Sequence, residues 1–469
     1  MIESKIEKRL QEMRAFYGTN ATKEYRYRIN SLKTLYLAIV KHETRLMEAL
    51  AKDLHKSHFE SFATEISIVL QEIRFQIRHL KRWSKTKRIP TPLVFFPSRS
   101  QLYREPYGVV LIIAPWNYPF HLLFNPLVGA LATGNCVMLK TSPLAPATAE
   151  VMEKIVSCFP REYISIWHGH REVNQALLKA RFDYIFYTGS PAVGKIVMEA
   201  ASKHLTPLSL ELGGKSPCIV DRDANIRFAA RRIAWGKTIN AGQTCIAPDY
   251  LLVHHSVKEE FLSEYKQAIL SMFGSKPQAS PDYPRIVSAS ALKRLSAYLK
   301  EGKIVLGGAV DPEDLYLEPT IIELAKPEAA VWQEEIFGPV LPLREFEQIE
   351  EVIQFINSRE KPLALYYFSR NKKNIRLLLY STSSGGVCIN DTLLHVANHR
   401  LPFGGVGHSG MGQYHGKYSF ETFSRNKAIV CSGSGIDIPL KYPPYRGKLK
   451  LFRKLLLSSG LLYRVNLWE

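Results

Sequence analysis

Three residues of this chain have the side chains and surroundings needed for covalent chemistry on a carbonyl carbon. Cys245 lies among small and polar residues in the segment NAGQTCIAP (240–248). Glu211 ends an apolar run before a diglycine, and Asn117 follows the apolar run VVLII between two prolines. A thiolate can attack a carbonyl, a rigid amide can stabilise the resulting oxyanion, and a carboxylate can activate water. The set therefore matches the requirements of thioester chemistry.

Each of these residues also has an ordinary explanation when it is taken alone. A free cysteine most often fills a core as a small hydrophobe, and a carboxylate before a diglycine can be a solvated loop residue. The six cysteines form no CxxC pair, so the sequence predicts neither a disulfide framework nor a bound metal. This pattern of cysteines is the one expected in a reducing compartment.

A further segment, DYIFYTGSPAVGK (183–195), is a candidate phosphate site. An apolar run ends at Gly189, and Ser190 can cap a following helix that contains Gly194. A helix N-terminus presents free N–H groups to a pyrophosphate, although a strand–turn–helix without a ligand is the simpler explanation. GVGHSG (405–410) has the spacing of a dinucleotide fingerprint but follows a loop, so we reject it.

The order of apolar runs predicts the elements that position these residues. Helical spacing dominates residues 1–85, and a proline-rich break follows. Short β-rich runs then alternate with helical stretches in two successive series, which favours two α/β domains with parallel sheets and a cleft between them.

Composition and charge narrow the possible partners and compartments. The 469 residues carry a formal net charge of +19, with basic clusters at 81–88 and 445–454. Nucleic acid, an anionic membrane surface and an anionic small ligand are alternatives to a merely solvated basic surface. The chain has no nucleic-acid motif, secretory signal or uncharged apolar span, so we predict no nucleic-acid partner and a cytoplasmic protein.

Five motifs in order resemble the aldehyde dehydrogenase superfamily over residues 20–435. They are PWNYP, ELGGKSP, NAGQTCIAP, QEEIFGPV and LPFGGVGHSGMGQYHGKYSFETFS. Cys245 follows Glu211 by 34 residues, which is the usual spacing in this family. The last motif and YPPY (442–445) are similar to the class 3 branch, which includes dimeric fatty and aromatic aldehyde dehydrogenases.

The resemblance implies a role for each motif residue. Cys245 would be the nucleophile, Asn117 and the Cys245 backbone N–H would hold the oxyanion, and Glu211 would activate the water that hydrolyses the thioester. The oxidant implied is NAD or NADP. The cofactor residues implied are Trp116, Lys140, Gly189, Ser190, Gly194, Glu335 and Phe337.

One position departs from the family pattern. The family commonly has a glutamate three residues after Lys140, where it binds the adenosine ribose, and this chain has Pro143. Because a carboxylate there would repel the 2′-phosphate of NADP, its absence predicts that NADP is accepted, with or without NAD.

Apolar residues beside the motifs predict a substrate tunnel for an aliphatic or aromatic aldehyde. They are Tyr118, Phe120, Leu122, Leu393, Leu394 and Phe403. The basic, leucine-rich residues 446–469 resemble an interfacial helix. They would either contact the inner membrane surface or pack on the protein, and the sequence does not decide between the two. Two alternative functions are a CoA-acylating enzyme and a catalytically silent binding protein. The first often lacks the glutamate base, so Glu211 argues against it. The second would not need Cys245, Glu211 and Asn117 together.

The family pattern also suggests how the chain is divided. Residues 1–85 and 107–211 would form a Rossmann-like coenzyme-binding domain, and residues 212–406 a catalytic thiol domain. A small β element for homodimerisation would consist of 86–106 and 420–433. A basic amphipathic tail would occupy 434–469.

Overall fold

The computed structural model describes residues 2–92, 95–323 and 329–458. The chain separates into two compact units. The first consists of Met1–Leu80 and Pro106–Phe423, and the second of Lys81–Glu105 and Ser424–Glu469.

The α-helices begin and end as follows. They are α1 Ile2–Gly18, α2 Tyr25–Leu54, α3 His58–Ser61, α4 Ser67–Trp83, α5 Pro119–Thr133, α6 Pro146–Val156, α7 Arg171–Lys179, α8 Pro191–Ser202, α9 Ile226–Thr238, α10 Lys258–Phe273, α11 Ala289–Tyr298, α12 Ala330–Gln333, α13 Ile349–Asn357, α14 Lys372–Ser381, α15 Leu394–Ala397, α16 Gly416–Thr422 and α17 Lys448–Ser458. A π-helical turn, Phe62–Ile66, joins α3 to α4.

The strands have these bounds. They are β1 Lys87–Ile89, β2 Arg99–Pro106, β3 Val109–Ile113, β4 Cys136–Lys140, β5 Ile164–Trp167, β6 Tyr184–Thr188, β7 Leu208–Glu211, β8 Pro217–Val220, β9 Tyr250–His254, β10 Lys303–Leu306, β11 Val310–Asp311, β12 Tyr316–Leu317, β13 Thr320–Glu323, β14 Val340–Phe346, β15 Ala364–Phe368, β16 Gly386–Ile389, β17 Gly410–Met411 and β18 Ser424–Cys431.

A six-stranded sheet in the order β17-β7-β6-β3-β4-β5 carries the first series of motifs. All its pairings are parallel except that of β17 with β7. Strands β3, β4 and β6 are buried throughout because they are continuous apolar runs, as expected of a sheet covered on both faces. The carboxyl ends of β3, β6 and β7 therefore meet at one edge, where ligands bind in open α/β sheets.

A seven-stranded sheet in the order β10-β13-β14-β9-β8-β15-β16 contains the second series, with only β10 antiparallel to its neighbour. Its core includes Tyr250, Leu252, Ile322, Leu365 and Tyr367. The predicted α/β class with two largely parallel sheets is confirmed.

The second unit contains a three-stranded sheet in the order β1-β2-β18. Glu105 on β2 forms ion pairs with Arg425 and Lys427 on β18, the latter at 3.0 Å. Helix α17 belongs to the predicted basic tail, while residues 459–469 of that tail lie outside the described part of the chain. None of the helices in the described ranges combines the length and hydropathy needed to cross a membrane.

Candidate active site

Cys245 follows a sharply turned loop that other residues hold in place. Asn240, Ala241 and Gly242 have left-handed φ angles of 50°, 51° and 71°, which is unfavourable for residues with a Cβ. At Gly242 a Cβ would lie 2.4 Å from the Gly338 carbonyl oxygen, so only glycine fits there. The Asn240 backbone N–H donates to Glu60 Oε1 at 2.8 Å, and burial raises the pKa of that carboxyl to about 7.

The Gln243 side chain completes the loop. Its amide nitrogen donates to the carbonyls of Asn240 and Arg285, each at 3.0 Å, and its Oε1 accepts from the Val287 N–H at 2.9 Å. Because every bond of this amide is to backbone, the loop before Cys245 has a fixed conformation.

Asn117 lies in the turn between β3 and α5, where the prolines of PWNYP limit the backbone. Its Nδ2 donates to the Gln243 carbonyl at 3.0 Å, and Asn240 Nδ2 donates to the Asn117 carbonyl at 2.9 Å. The Asn117 turn is thereby bonded to the cysteine loop. An amide nitrogen carries two N–H groups, so one remains for a ligand oxygen.

Glu211 ends β7 and is almost completely buried. Both of its carboxylate oxygens lack a hydrogen-bond partner within the described residues. Burial raises the pKa of this carboxyl well above its ordinary value. An unpaired buried carboxyl is costly, so its placement suits a proton acceptor more than a structural role.

Two cavities meet at Cys245, which is half-buried and lines both. The polar cavity, of about 230 Å³, is also lined by Asn117 and Glu211. The second cavity, of about 180 Å³, is mostly apolar and shares Leu122 and Cys245 with the first. Burial raises the pKa of the Cys245 thiol, and the charges of Glu335 and Glu211 raise it further.

The lining of the polar cavity suits the nicotinamide and phosphate part of a dinucleotide. The cavity is lined by Pro115, Trp116, Asn117, Leu122, Thr188, Gly189, Ser190, Glu211, Leu212, Gly213, Cys245, Glu335 and Phe337. Gly189 and Ser190 lie at the N-terminus of α8, whose positive dipole end suits a phosphate. Glu335 approaches so closely that a Cβ on Gly213 would lie 2.1 Å from its Oε2. Desolvation and the charge of Asp249 raise the pKa of Glu335 to about 8.

Two predicted cofactor residues do not line this cavity. Lys140 is buried and donates to the carbonyls of Thr141 and Gly169 at 2.7 and 2.8 Å, and burial lowers its pKa to about 8. Gly194 packs against Leu212, where a Cβ would meet Leu212 Cδ2 at 2.8 Å. A dinucleotide role for these two residues stays a prediction.

The apolar cavity contains most of the residues predicted for the substrate tunnel. Tyr118, Leu122, Leu393, Leu394 and Phe403 all line it. Phe120 does not, because it is fully buried and its ring stacks on Phe124 with centroids 4.5 Å apart.

Several residues at the site were not predicted from the sequence. Besides Glu60 and Gln243, the cavity walls add Ala63, Thr64, Ile68, His121, Trp235, Ile239, Thr244, Ile246, Val396, Ala397 and Tyr414. Tyr414 lies within a quoted motif, which was a usable signal. Ala63 and Thr64 lie in a helical stretch far from any motif, and only the fold brings them to the cavity.

Two largely parallel α/β sheets, with one cysteine lining both a polar and an apolar cavity, are the arrangement expected of an oxidoreductase that uses a thiol. The model of the aldehyde dehydrogenase family matches residues 2–429, and the chain belongs to that family. It is therefore an oxidoreductase that oxidises aldehydes, and the resemblance drawn from the motifs is confirmed.

Curated relatives match nearly the whole chain. The 4,4′-diaponeurosporen-aldehyde dehydrogenase of Staphylococcus aureus is 46% identical over 451 residues, which cover 96% of this chain and 98% of that protein. Mouse aldehyde dehydrogenase family 3 member A2 is 44% identical over 442 residues, covering 94% and 91%.

Solved structures agree with this assignment. The substrate-bound state of Staphylococcus aureus AldH has a TM-score of 0.94 at 46% identity, covering 96% of this chain and 99% of that one. Indole-3-acetaldehyde dehydrogenase in complex with NAD+ has a TM-score of 0.84 at 26% identity, covering 92% and 89%. An Escherichia coli NADP-dependent enzyme has a TM-score of 0.84 at 25% identity, covering 92% and 90%.

Proposed function

We propose that this protein oxidises medium- or long-chain aliphatic or aromatic aldehydes to carboxylic acids with NAD or NADP. The observation that carries the proposal is that Cys245 lines both the polar cavity and the apolar cavity. A thiol in this position reaches an aldehyde in one cavity and a hydride acceptor in the other. The nicotinamide ring, when bound, accepts a hydride from the aldehyde carbon.

The residues of the chain account for the remaining chemistry. The Cys245 thiolate attacks the aldehyde carbon and forms a C–S bond, and the carbonyl oxygen becomes an oxyanion. The free N–H of the Asn117 amide donates to that oxyanion. Loss of hydride from the carbon then leaves a thioester on Cys245.

Glu211 acts in the hydrolytic half of the reaction. Its unpaired carboxylate takes a proton from water, the resulting hydroxide adds to the thioester carbon, and the C–S bond breaks to release the acid and restore the thiolate. Because burial raises the pKa of Glu211, the carboxylate form becomes available only as the pH rises.

The test is an assay at 340 nm with hexanal, dodecanal and benzaldehyde, each with NAD and with NADP. Cys245→Ala should abolish turnover, and Cys158→Ala, at an exposed thiol, serves as the matched control. Activity that survives in Cys245→Ala with all three aldehydes would refute the mechanism.

We further propose the domain division predicted from the sequence. The strands β3–β7 of the six-stranded sheet fall within 107–211, and the strands of the seven-stranded sheet fall within 212–406, which supports a coenzyme-binding and a catalytic domain. A cytoplasmic homodimer, joined through the sheet β1-β2-β18 that lies within 86–106 and 420–433, completes the proposal.

A further inference from the structure

We propose that Lys56 and Glu65 are a positioning pair that holds the Asn117 amide in place for the oxyanion. The inference rests on the proposed function and adds two residues to it. Lys56 Nζ donates to Glu65 Oε1 at 2.6 Å, and both side chains are fully buried.

Both members of the pair form hydrogen bonds with the backbone of the Asn117 turn and of the helix that follows it. Lys56 Nζ donates to the Asn117 carbonyl oxygen at 2.8 Å. Glu65 Oε2 accepts from the backbone N–H groups of Phe120 and His121 at 2.9 and 3.2 Å. These N–H groups belong to the first turn of α5, whose cap residue Tyr118 offers no side-chain bond. Glu65 therefore replaces the missing helix cap and places a negative charge at the helix N-terminus.

The same pair extends toward the cysteine. Lys56 Nζ lies 3.9 Å from the ring centroid of Tyr118, and the Tyr118 hydroxyl is hydrogen-bonded to Thr244 Oγ1 at 2.7 Å. Thr244 directly precedes Cys245. The Lys56 ammonium group thus contacts both Asn117 and Tyr118, and Tyr118 is hydrogen-bonded to the residue that precedes Cys245.

The location of Glu65 also points to the site. It lies in the π-helical turn Phe62–Ile66, and Ala63 and Thr64 of that turn line the apolar cavity. Such π turns occur frequently at functional sites because the extra residue redirects side chains. Here the turn directs the Glu65 carboxylate to the start of α5.

Stability alone explains the pair poorly. A buried ion pair rarely stabilises a fold more than apolar side chains of similar volume, because both charges lose their hydration. Removing one partner, however, leaves an uncompensated buried charge and is strongly destabilising. A single substitution could therefore lower activity through misfolding, so the test needs the double variant.

The experiment compares Lys56→Met/Glu65→Leu with wild type in kcat per mole of folded protein. Because the Phe120 and His121 N–H groups lose their acceptor, we expect the double variant to melt below wild type but to stay folded at the assay temperature. Its kcat should fall roughly 10- to 100-fold, and its KM for benzaldehyde should change less than about threefold. Lys56→Arg, which keeps the charge and a donor, should retain more activity than Lys56→Met. Lys258→Met removes a partly buried ammonium paired with Glu345 and is the matched control.

A double-mutant cycle separates positioning from general damage. If the pair acts through the Asn117 amide, adding Lys56→Met/Glu65→Leu to Asn117→Ala should lower kcat by less than about threefold more. Full multiplicative loss in that background, or wild-type kcat in the double variant, would overturn the proposal.

Hydrogen exchange gives a reading independent of turnover. The backbone amides of Phe120 and His121 should lose protection in Glu65→Leu and in the double variant, whereas unchanged protection there also overturns the proposal. If wild type is inactive with every aldehyde but the Phe120 and His121 amides lose protection in these variants, the proposed function is contradicted. The hold of Lys56 and Glu65 on the Asn117 turn is then still supported.

Discussion

Glu211 and Cys245 are both placed so that their neutral forms are favoured. Burial raises the pKa of each, and the charges of Glu335 and Glu211 raise the pKa of the Cys245 thiol further. Since the reactive forms are the carboxylate and the thiolate, activity should increase as the pH rises through these elevated pKa values.

The first prediction concerns Glu211→Gln. The amide keeps the volume but accepts no proton, so thioester hydrolysis should slow by about 10²- to 10³-fold while one equivalent of reduced cofactor still forms in a burst. The rise of kcat with pH that belongs to this carboxyl should also disappear. Stopped-flow absorbance at 340 nm between pH 6 and 10 measures both effects. Glu199→Gln, at an exposed position on α8, is the control, and a wild-type steady-state rate in Glu211→Gln would contradict the prediction.

Pro143 carries the second prediction. It is exposed in the turn after β4, three residues beyond Lys140. Pro143→Glu should lower kcat/KM for NADP at least about tenfold relative to NAD, because a carboxylate repels the 2′-phosphate and accepts from a ribose hydroxyl. Leu144→Glu adds the same charge one residue away and should change the ratio less. A strict requirement of the wild type for NAD would refute NADP acceptance.

At the scale of elements, the sequence predicted the strands better than the contacts between them. The runs that became β3, β4 and β6 are continuous and apolar, so composition alone indicates buried parallel strands. The role of the π turn between α3 and α4 could not be predicted, because Glu65 there looks like a solvated helical residue. Its partner atoms, on Lys56 and the start of α5, come together only in the folded chain.

The third prediction belongs to the contact between α4 and α16. Glu72 accepts from the Gly416 N–H at 2.9 Å and from Gln76 Nε2 at 2.8 Å, and burial raises its pKa to about 7. A folded pKa above the ordinary value of 4.5 means that, between about pH 4.5 and 7, this carboxyl ionises in the unfolded chain while it stays protonated in the fold. The free energy of unfolding should fall over that range, by on the order of 3 kcal/mol from this group at most.

Glu72→Gln tests this directly, since glutamine accepts the same N–H without ionising. Melting temperatures measured from pH 5 to 8 should decline less steeply in Glu72→Gln than in wild type. Glu150→Gln, on an exposed position of α6, should leave the slope unchanged. An equal slope in Glu72→Gln and wild type would show that this carboxyl does not titrate in the range.

At the scale of the whole molecule, the net charge of +19 and the basic tail give the fourth prediction. Helix α17 exposes Leu449, Leu451 and Phe452 beside Lys450 and Arg453. An apolar and basic surface of this kind favours an anionic bilayer. The full chain should float with vesicles containing phosphatidylserine more than a chain ending at 445, and 0.5 M salt should reduce the difference. Equal flotation of the two chains would favour packing of the tail on the protein.

The last prediction concerns assembly through the second unit. Strand β18 lies at the edge of the sheet β1-β2-β18, and Val430 near its end is 65% exposed. An exposed edge with unpaired backbone groups and an apolar side chain is a template for pairing with another strand, which a second copy of this chain can supply. Wild type should therefore run at twice the chain's mass in light scattering. Val430→Asp should shift it to the single mass because like charges would meet across the two-fold axis of a symmetric pair. Val193→Asp, on the exposed start of α8, introduces the same charge away from this edge and should remain dimeric. A Val430→Asp variant that remains a dimer would place the contact elsewhere. A wild type that is monomeric at micromolar concentration would refute the dimer itself.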